Sequence, residues 1–425
     1  MKKFKFMTTF IQTRWLRTFQ TEQKVKAYQE KKIAEQMKYM KKHSPFFSRW
    51  NEVTLPTMDK NFMMTHFDEL NTVGLKKEEA LAIALMSEET REFEETIGDI
   101  SVGLSSGTSG HRGLFVTSQT EQAIWAGTML AKMLPEKQLL HHKLAFFLRA
   151  DNNLYQTINS KVIQLTYFDM YQSMIQHILT LNEYQPSILI APASVLVELG
   201  KAVEAGNLSI NPIKVISVAE ILEERDKTYL KKVFQQNVIH QVYQCTEGFL
   251  GCTCSHGTLH LNEDLVKIDR EYLDDRRFYP IITDFTRTSQ PIINYRLNDI
   301  LVLSQERCPC GSAFQAIEKI EGRSDDIFVF KGKKQAEIRV FPDFIRRCIL
   351  FVPNIREYQV IQRSPHQIEI HINDVTTEQR EQMTTEFSKL AEDLEFEDPT
   401  LLFVPYGNEF NKKLKRISRI KLEEK

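Results

Sequence analysis

Three short runs of residues that favour strands alternate with helical stretches in the middle of this chain, and this alternation limits the fold more than any other feature. The runs are Pro186–Pro192, Ile213–Glu220 and Val238–Gln244, and the stretches between them include SVLVELGKAVEAG and LEERDKTYLKKVFQQ. Strands separated by helices of this length are typical of a parallel sheet that helices cover. The sequence therefore predicts an α/β fold.

The pattern changes towards the carboxyl terminus. From about Leu259 the chain holds short strands and turns, as in an added β-region. Beyond GRSDDIF it holds two strands (EYQVIQR and QIEIHIN), a helix (TEQREQMTTEFSKLAEDL) and a basic end. We therefore expect a large N-terminal domain of parallel-sheet α/β layers plus a β-region, residues 1–324, and a small α+β C-terminal domain, residues 325–425. A chain of 425 residues with 42% hydrophobic content can bury two cores.

The charges are balanced over the whole chain. Lys and Arg total 55 against 56 Asp and Glu, so the net charge of -1 gives no overall attraction to nucleic acid or to membranes. We see no apolar run of signal-peptide or membrane-spanning length. We therefore expect a cytoplasmic protein without nucleic-acid binding or integral membrane contact.

The amino-terminal part is strongly basic. Between Lys2 and Arg49, thirteen Lys or Arg stand against three Glu, and apolar residues such as Trp15, Leu16 and Phe19 recur at helical spacing. This pattern predicts an amphipathic helix. Its basic face is either simply solvated or in contact with an anionic surface or a carrier partner.

The stretch SSGTSGHRG, Ser105–Gly113, combines glycines and hydroxyls just before a helix-like segment. Glycines let backbone N–H groups surround an anion without Cβ clashes, and the hydroxyls add donors. The stretch is not a Walker loop, because His111 and Arg112 stand where that motif needs Lys and Ser or Thr. It is either a phosphate-binding loop or a flexible connection.

Further motifs follow in chain order. VYQCTEG comes after a predicted strand: Tyr243 could stack on a purine, Thr246 could bond an α-phosphate, and Glu247 could hold Mg²⁺. TDFTRTSQPIINYRLNDI then leads to Asp299, an acceptor suited to ribose hydroxyls. In IEGRSDDIF, Arg323 stands beside a turn with two acids. These residue types together suit a nucleotide site.

The six cysteines are too few and too clustered for a disulfide framework. CTCSHGTLH and CPCG flank the β-region and could supply a closed, structural Cys₃His zinc site. The ligands we predict are Cys254, His256, Cys308 and Cys310. Cys252 and His260 are the alternates. Reduced thiols without a metal are the other interpretation, and it fits Cys348 in the apolar helix FIRRCILF.

The stretches SSGTSGHRG, SVAE, YQCTEG, TRTSQPIINYRLNDI, CPCG and IEGRSDDIF resemble, in content and order, the adenylate-forming enzymes, and within them the phenylacetate–coenzyme A ligase family. The resemblance covers about residues 50 to 330. It implies the adenylate-forming enzyme fold, with a small mobile C-terminal domain. It also implies an acid–thiol ligase that uses ATP and Mg²⁺ to form an acyl-adenylate, releases pyrophosphate, and passes the acyl group to coenzyme A or to the phosphopantetheine of a carrier protein.

The resemblance assigns roles to single residues. Thr246 would serve the α-phosphate, Glu247 would hold Mg²⁺, and Asp325 would be the hinge about which the C-terminal domain rotates. Some members of the family also carry a cysteine-rich zinc site, which favours zinc here. The residues implied to bind the nucleotide are Ser105, Ser106, Gly107, Thr108, Ser109, Gly110, Ala219, Glu220, Tyr243, Asp299 and Arg323.

A catalytic lysine is also expected near the carboxyl terminus. The family has a GKxxR-like segment there, whereas this chain reads NEFNKKLKRISRIK without the glycine. Lys413 gives the best match because Arg416 follows at the right interval, and Lys412 and Lys415 are the alternatives. A solvated basic tail is the other interpretation of this segment.

The resemblance places the acyl pocket near FFLRADNNLYQTINSKVIQLTYFDMYQ. Aromatic walls with a few amides suit a polar-substituted aryl acid, because rings stack and amides bond hydroxyls, and Asn152, Asn153 and Tyr155 are the candidates for binding it. An alkyl acid and a purely structural use of these aromatics remain open. So do formation of an amide instead of a thioester, nucleotide binding without thiol transfer, and a homodimer.

Overall fold

The computed structural model describes residues 2–50, 55–90, 96–105, 113–136, 138–148, 163–355, 357–407 and 414–420. The chain divides into two compact units. The large unit comprises Met1–Leu297 and Val302–Lys319, and the small unit comprises Asn298–Leu301 and Ile320–Lys425. The division at Ile320 lies slightly before the boundary at Asp325 that the sequence suggested.

The large unit contains ten described α-helices. They are α1 Lys2–Ile11, α2 Glu22–His43, α3 Pro45–Arg49, α4 Lys60–Thr65, α5 Phe67–Leu70, α6 Lys77–Thr90, α7 Gln119–Met133, α8 Met174–Tyr184, α9 Ala193–Glu204 and α10 Glu224–Val233. A π-helical turn, Gln12–Leu16, follows α1. Within the described residues, no helix combines the length and the apolar character that crossing a bilayer requires.

The strands of the large unit are introduced here in chain order. They are β1 Thr96–Ile97, β2 Ile100–Leu104, β3 Leu114–Ser118, β4 His142–Leu148, β5 Ile163–Asp169, β6 Ile188–Pro192, β7 Lys214–Val218, β8 Ile239–Cys245, β9 Gly248–Thr253, β10 Leu259–Leu261, β11 Val266–Tyr272, β12 Arg277–Asp284 and β13 Ile292–Arg296. The division between the units cuts through β14 Asp299–Leu303 and β15 Ala316–Arg323.

A parallel sheet forms the centre of the large unit. Strands β5, β4, β6, β7 and β8 lie side by side in this order, and all their pairings are parallel. Beyond β8 the pairing becomes antiparallel through β9 and β10, while β11, β12 and β13 form antiparallel pairs. The predicted parallel sheet with an added β-region is therefore confirmed.

Helices cover both faces of this sheet, because successive residues of its strands point to opposite sides. On one face, Leu189 and Ala191 pack with residues of α8, α9 and α10. On the other face, Ile188 and Ile190 pack with residues of α7 and with Phe6 and Phe10 of α1. Burial on both faces explains why these strands are almost continuously apolar.

Helix α7 begins where the sequence signals it. The Ser118 hydroxyl accepts from the backbone N–H of Glu121, and the Glu121 carboxylate accepts from the backbone N–H of Ser118. This capping box satisfies two donors at the helix start. The S-x-x-E pattern thus fixes the point where the β2–β3 hairpin passes into the helix.

The small unit is an α+β domain, as predicted. It contains a 3₁₀ turn, Ser324–Asp326, and the helices α11 Pro342–Leu350 and α12 Thr377–Asp393. Its strands are β16 Phe328–Lys331, β17 Glu337–Val340, β18 Gln359–Ser364, β19 Gln367–His371, β20 Thr400–Val404 and β21 Ile417–Arg419. Strands β20, β19, β18 and β21 form one sheet. Phe330 stacks on Phe396 in the core, with 4.2 Å between ring centroids.

A half-buried basic pair, Lys214 and His240, lies at the amino-terminal ends of β7 and β8. Burial lowers the pKa of Lys214 to about 8. Burial, followed by the charge of Lys214, lowers the pKa of His240 to about 4. The Nδ1 atom of His240 makes no hydrogen bond to any described residue. The folded chain therefore keeps this imidazole neutral in mildly acidic solution.

His240 should make the fold sensitive to acid. The unfolded chain takes up a proton near pH 6.5 and the folded chain near pH 4, so stability should fall as the pH drops through this window. The difference corresponds to at most about 3 kcal/mol. We expect His240→Gln to flatten the dependence of the unfolding free energy on pH, measured by urea unfolding across the window. The exposed His256, changed to Gln, is the control, and equal flattening by both variants would contradict the assignment.

Candidate functional site

The glycine- and hydroxyl-rich loop connects the two strands of the β2–β3 hairpin. These strands pair from Ile100 opposite Ser118 to Leu104 opposite Leu114. Beyond the last pair, the Ser105 N–H donates to the Gly113 carbonyl at 2.8 Å, and the Ser105 hydroxyl accepts from the Gly113 N–H at 2.8 Å. The two ends of the loop are thereby held side by side. The other predicted loop residues, Ser106, Gly107, Thr108, Ser109 and Gly110, lie outside the described residues.

Thr246 and Glu247 form the two-residue connection between β8 and β9. Tyr243, which lies two residues before the end of β8, is buried. The Tyr295 hydroxyl on β13 donates to Glu247 Oε1 at 3.1 Å. Burial and the adjacent Glu247 carboxylate raise the pKa of Tyr295, so its hydroxyl stays a donor. This hydrogen bond orients the carboxylate at the carboxyl end of a central parallel strand.

A buried carboxylate lies next to this turn. Asp284, at the end of β12, accepts hydrogen bonds from the N–H and the hydroxyl of Thr286 at 2.8 and 2.6 Å. A Cβ atom on Gly248 would lie 2.9 Å from Asp284 Oδ2, so only glycine allows this close approach without a shift. Burial raises the pKa of Asp284 to about 6, against the lowering effects of Thr286 and Arg287.

Arg287 connects the turn to the hairpin. One terminal nitrogen of its guanidinium donates to the Thr246 carbonyl at 3.3 Å, and the other donates to the Val116 carbonyl of β3 at 3.0 Å. The side chain is almost fully buried, and its Nε atom makes no hydrogen bond to any residue that the structure describes. A single guanidinium therefore spans two elements that belong to different sheets.

Glu121 of α7 fastens the segment that carries Arg287. Its carboxylate accepts from the backbone N–H of Ser289 at 2.9 Å and from the Ser289 hydroxyl at 2.6 Å, besides the capping contact with Ser118. Burial opposes ionisation of Glu121, but the charge of Arg287 and these hydrogen bonds lower its pKa below the ordinary value. Gln290 adds a hydrogen bond from the Val116 N–H at 3.0 Å.

Ala219 and Glu220 follow β7 at the same edge of the sheet as Thr246 and Glu247, because β7 and β8 are parallel. Ala219 has a φ of 64°, a conformation that residues with a Cβ rarely adopt. Glu220 Oε2 accepts from the backbone N–H of Ser194 at 3.0 Å, at the start of α9. The structure thus brings Ala219 and Glu220, predicted to border the adenine, and Thr246, predicted to bind the α-phosphate, to one edge, where α/β folds bind ligands.

The small unit holds the other predicted residues. Arg323 Nε donates to Asp299 Oδ1 at 3.1 Å. The predicted hinge residue Asp325 accepts from Asn298 Nδ2 at 2.8 Å. The predicted ribose residues are therefore paired with each other, and the hinge residue lies in the 3₁₀ turn that follows them.

Of the three lysines considered near the carboxyl terminus, one is described. Lys415 donates to Asp326 Oδ1 at 3.1 Å, and this bond ties the carboxyl-terminal strand to the 3₁₀ turn. Lys413 and Lys412 lie outside the described residues, as do the pocket candidates Asn152, Asn153 and Tyr155.

Three cysteines and a histidine form a compact cluster in the large unit. They are Cys254, His260, Cys308 and Cys310, whose ligand atoms all lie within 4.8 Å of one another. Cys254 Sγ and Cys308 Sγ are 3.6 Å apart, and Cys310 Sγ is 3.3 Å from His260 Nε2. His260 Nδ1 lies 3.0 Å from the Phe314 carbonyl, which fixes the ring. Sulfur and imidazole ligands in this arrangement suit a tetrahedral metal.

The histidine of this cluster differs from the one that spacing predicted. His256 lies exposed in the turn between β9 and β10, where the Gly257 N–H donates to the Cys254 carbonyl. His260 lies on β10, which pairs with β9 and with β15. Strand pairing carries the more distant histidine to the cysteines, so the alternate His260 replaces His256. Cys252, the other alternate, contacts Asn262 instead.

Comparison with solved structures shows which known fold the chain has. The chain superposes on 2-hydroxyisobutyryl-CoA ligase in the postadenylation state in complex with R3-HIB-AMP, with a TM-score of 0.68, 12% identity, and coverage of 94% of this chain and 90% of that chain. It also superposes on an anthranilate CoA ligase in complex with anthranoyl-AMP, with a TM-score of 0.51, 14% identity, and coverage of 74% and 66%. The chain has the fold of the adenylate-forming ligases.

Among proteins of this fold, the sequence is similar to a curated protein. Phenylacetate-coenzyme A ligase from Thermus thermophilus is 27% identical over 84 residues, which are 20% of this chain and 18% of that protein. The chain thus matches less than a fifth of this relative's length. No protein-family model matches the chain. The resemblance that the motifs indicated, to phenylacetate–coenzyme A ligase, is confirmed.

Loss of the guanidinium should destabilise the large unit. In Arg287→Met, Glu121 keeps a buried charge without its counter-charge, and two carbonyls lose a donor. We expect the free energy of unfolding to fall by about 3–5 kcal/mol, measured by urea unfolding. Arg287→Lys, which keeps the charge, should lose less.

A double-mutant cycle tests whether the two charges act together. Glu121→Gln combined with Arg287→Met should cost less than the sum of the single losses, because removing both charges leaves neither uncompensated. Strictly additive losses would contradict the coupling.

Proposed function

We propose that this protein is an ATP-dependent acid–thiol ligase of the AMP-forming type, which activates a carboxylic acid as an acyl-adenylate and transfers the acyl group to a thiol. The observation that carries the proposal is the Thr246–Glu247 turn, oriented by Tyr295 and Arg287 at the carboxyl end of β8. The fold shared with CoA ligases supports it.

The first half-reaction needs neutralised charge. The substrate carboxylate attacks the α-phosphorus of ATP, and the bond to pyrophosphate breaks. Because the carboxylate is a weak nucleophile, this attack needs the help of groups that neutralise the phosphate charge. The Thr246 hydroxyl would donate to the α-phosphate, while the loop from Ser105 to Gly110 would donate to the β- and γ-phosphates. Glu247 would hold Mg²⁺, which when bound supplies positive charge next to the phosphates.

Other residues would orient the nucleotide. Tyr243, Ala219 and Glu220 would border the adenine, because Ala219 and Glu220 follow β7 and Tyr243 lies near the carboxyl end of the neighbouring parallel strand β8. Asp299 would accept from the ribose hydroxyls, and Arg323 would hold the Asp299 carboxylate in place through its hydrogen bond. Lys413 would donate to the developing negative charge. Closure of the site would keep water from the acyl-adenylate, which is a reactive mixed anhydride.

The second half-reaction transfers the acyl group to sulfur. A thiolate attacks the acyl carbon of the adenylate, AMP leaves, and a thioester forms. We propose coenzyme A as the thiol, with a carrier-protein phosphopantetheine as the other acceptor of the same chemistry. The aromatic stretch that includes Asn152, Asn153 and Tyr155 favours a polar-substituted aryl acid as substrate.

ATP–pyrophosphate exchange tests the proposed function. With a panel of aryl and alkyl acids, the protein should catalyse exchange that depends on both acid and Mg²⁺. Glu247→Gln should lower the exchange rate by about 10²- to 10³-fold, because it removes a charge that the transition state needs. Glu30→Gln, at an exposed glutamate of α2, is the matched control. Absence of exchange with every acid would contradict the proposal.

The same assay separates the half-reactions. Lys413→Ala should slow exchange while sparing thioester formation from a preformed adenylate and added coenzyme A. Exchange at the wild-type rate in Lys413→Ala would contradict the assignment of this lysine. Exchange without any thioester product would exclude the thiol-transfer step.

We also propose that the cluster of Cys254, His260, Cys308 and Cys310 binds a structural zinc ion. Three thiolates and one imidazole would fill a tetrahedral shell and leave no open position for a substrate. His260 fits this role because its other ring nitrogen already faces the Phe314 carbonyl. Zinc would then cross-link the β9–β10 turn and the CPCG turn.

Metal analysis distinguishes the two candidate histidines. The purified protein should contain about one zinc ion per chain. His260→Gln should reduce zinc content and lower the melting temperature, whereas His256→Gln should leave both unchanged. Zinc loss in His256→Gln, or full zinc content in His260→Gln, would contradict the ligand set.

A further inference from the structure

Helix α1 is firmly attached to α7 on one side. A Cβ atom on Gly127 of α7 would lie 2.6 Å from the Phe6 carbonyl oxygen, so the two helices cross at very close range. Arg14, in the π-helical turn, donates to the carbonyls of Ala131 at 2.6 Å and of Pro135 at 2.8 Å, near the end of α7. These contacts fix which face of α1 points outwards.

That outward face is apolar. It consists of Phe4, Met7, Ile11, Trp15 and Leu16, which we call the N-terminal stripe. Phe4 is 74% exposed, Trp15 is 52% exposed and Leu16 is 68% exposed. The first four members are spaced three or four residues apart, so they follow one side of the helical segment. A contiguous exposed apolar stripe marks an interaction surface rather than scattered surface residues.

The segment that carries the stripe has charges of one sign, and the acidic group described as acting on it is the exposed Glu136 near Arg14. Residues 2–20 contain five Lys or Arg and no Asp or Glu, although the whole chain has a net charge of only -1. At about 100° per residue, Lys3 and Lys5 lie on opposite flanks of the line formed by Phe4, Met7 and Ile11. Both lysines are exposed. The surface is therefore suited to a partner that is apolar in its interior and anionic at its edge.

An anionic lipid surface has this combination of properties. An amphipathic helix lies in the membrane interface with apolar and aromatic side chains among the acyl chains and lysines near the phosphates, and tryptophan favours this depth. A second copy of the chain fits less well, because a two-fold contact through the stripe would place one basic segment against another, and residues 2–20 contain no Asp or Glu to offset the charge. We propose that the N-terminal stripe docks the folded protein onto an anionic lipid surface.

This inference does not depend on the reaction proposed above, and vesicle binding tests it directly. The full chain should bind vesicles of phosphatidylcholine and phosphatidylglycerol, bind pure phosphatidylcholine much more weakly, and be released by salt. The triple variant Phe4→Ser, Met7→Ser, Leu16→Ser should weaken binding by more than about tenfold. The charge variant Lys3→Glu, Lys5→Glu should weaken it selectively at low salt.

Matched controls separate the stripe from general surface stickiness. Ile175 and Leu179 of α8 are 74% and 62% exposed, and changing both to Ser should leave vesicle binding unchanged. On vesicles, the blue shift of tryptophan fluorescence should disappear in Trp15→Phe. The proposal would be overturned if binding did not depend on lipid charge, or if the triple variant bound as well as the wild type. It would also be overturned if the wild type formed a dimer in solution and the triple variant did not. The variants are compared at an unchanged melting temperature. If the triple variant melts at a lower temperature than the wild type, the single variant Leu16→Ser takes its place.

Discussion

Two buried charged residues, Arg287 and Glu121, hold the candidate site together. The hairpin that carries the glycine-rich loop belongs to a three-stranded sheet, whereas the Thr246–Glu247 turn belongs to the large sheet. No ladder of backbone hydrogen bonds joins the described strands of these two sheets, so the hairpin is fixed relative to the turn by side chains and by α7, which follows β3 directly and packs on the large sheet. Arg287 does so by donating to one carbonyl on each side, and Glu121 holds the segment from which Arg287 projects.

Charged groups suit this position better than apolar ones. Apolar side chains in contact exclude water but can rotate against each other. Each hydrogen bond of Arg287 and Glu121 instead fixes the orientation of the group that it joins. The cost is desolvation of both charges, which only a nearly complete set of partners offsets. Glu121 has such a set in the N–H groups and hydroxyls of Ser118 and Ser289. The position of Thr246 relative to the hairpin therefore depends on two residues that lie outside the recognised motif YQCTEG.

Local sequence patterns predicted the secondary structure and the type of sheet. They did not predict contacts between residues that lie far apart in the chain. Alternating runs gave the parallel sheet, and S-x-x-E marks the start of α7, but no local signal shows that the Glu121 carboxylate also accepts from Ser289, 168 positions away. The proposed zinc ligands show the same limit. Short spacing favoured His256, whereas pairing of β10 with β15 selects His260. Lys413 and the acyl pocket remain predictions from resemblance.

The two proposed sites of the large unit share one strand. Strand β9 starts directly after Glu247 and ends directly before Cys254, so the turn and the cysteine cluster lie at its opposite ends. Six residues of strand span about 20 Å, which is beyond the range over which salt solution leaves exposed charges unscreened. A metal at the cluster would therefore affect the turn by holding the backbone of β9 in place, and the charge of the metal would contribute little. Loss of the metal should accordingly loosen the turn without changing the electrostatic preference of Glu247 for a cation.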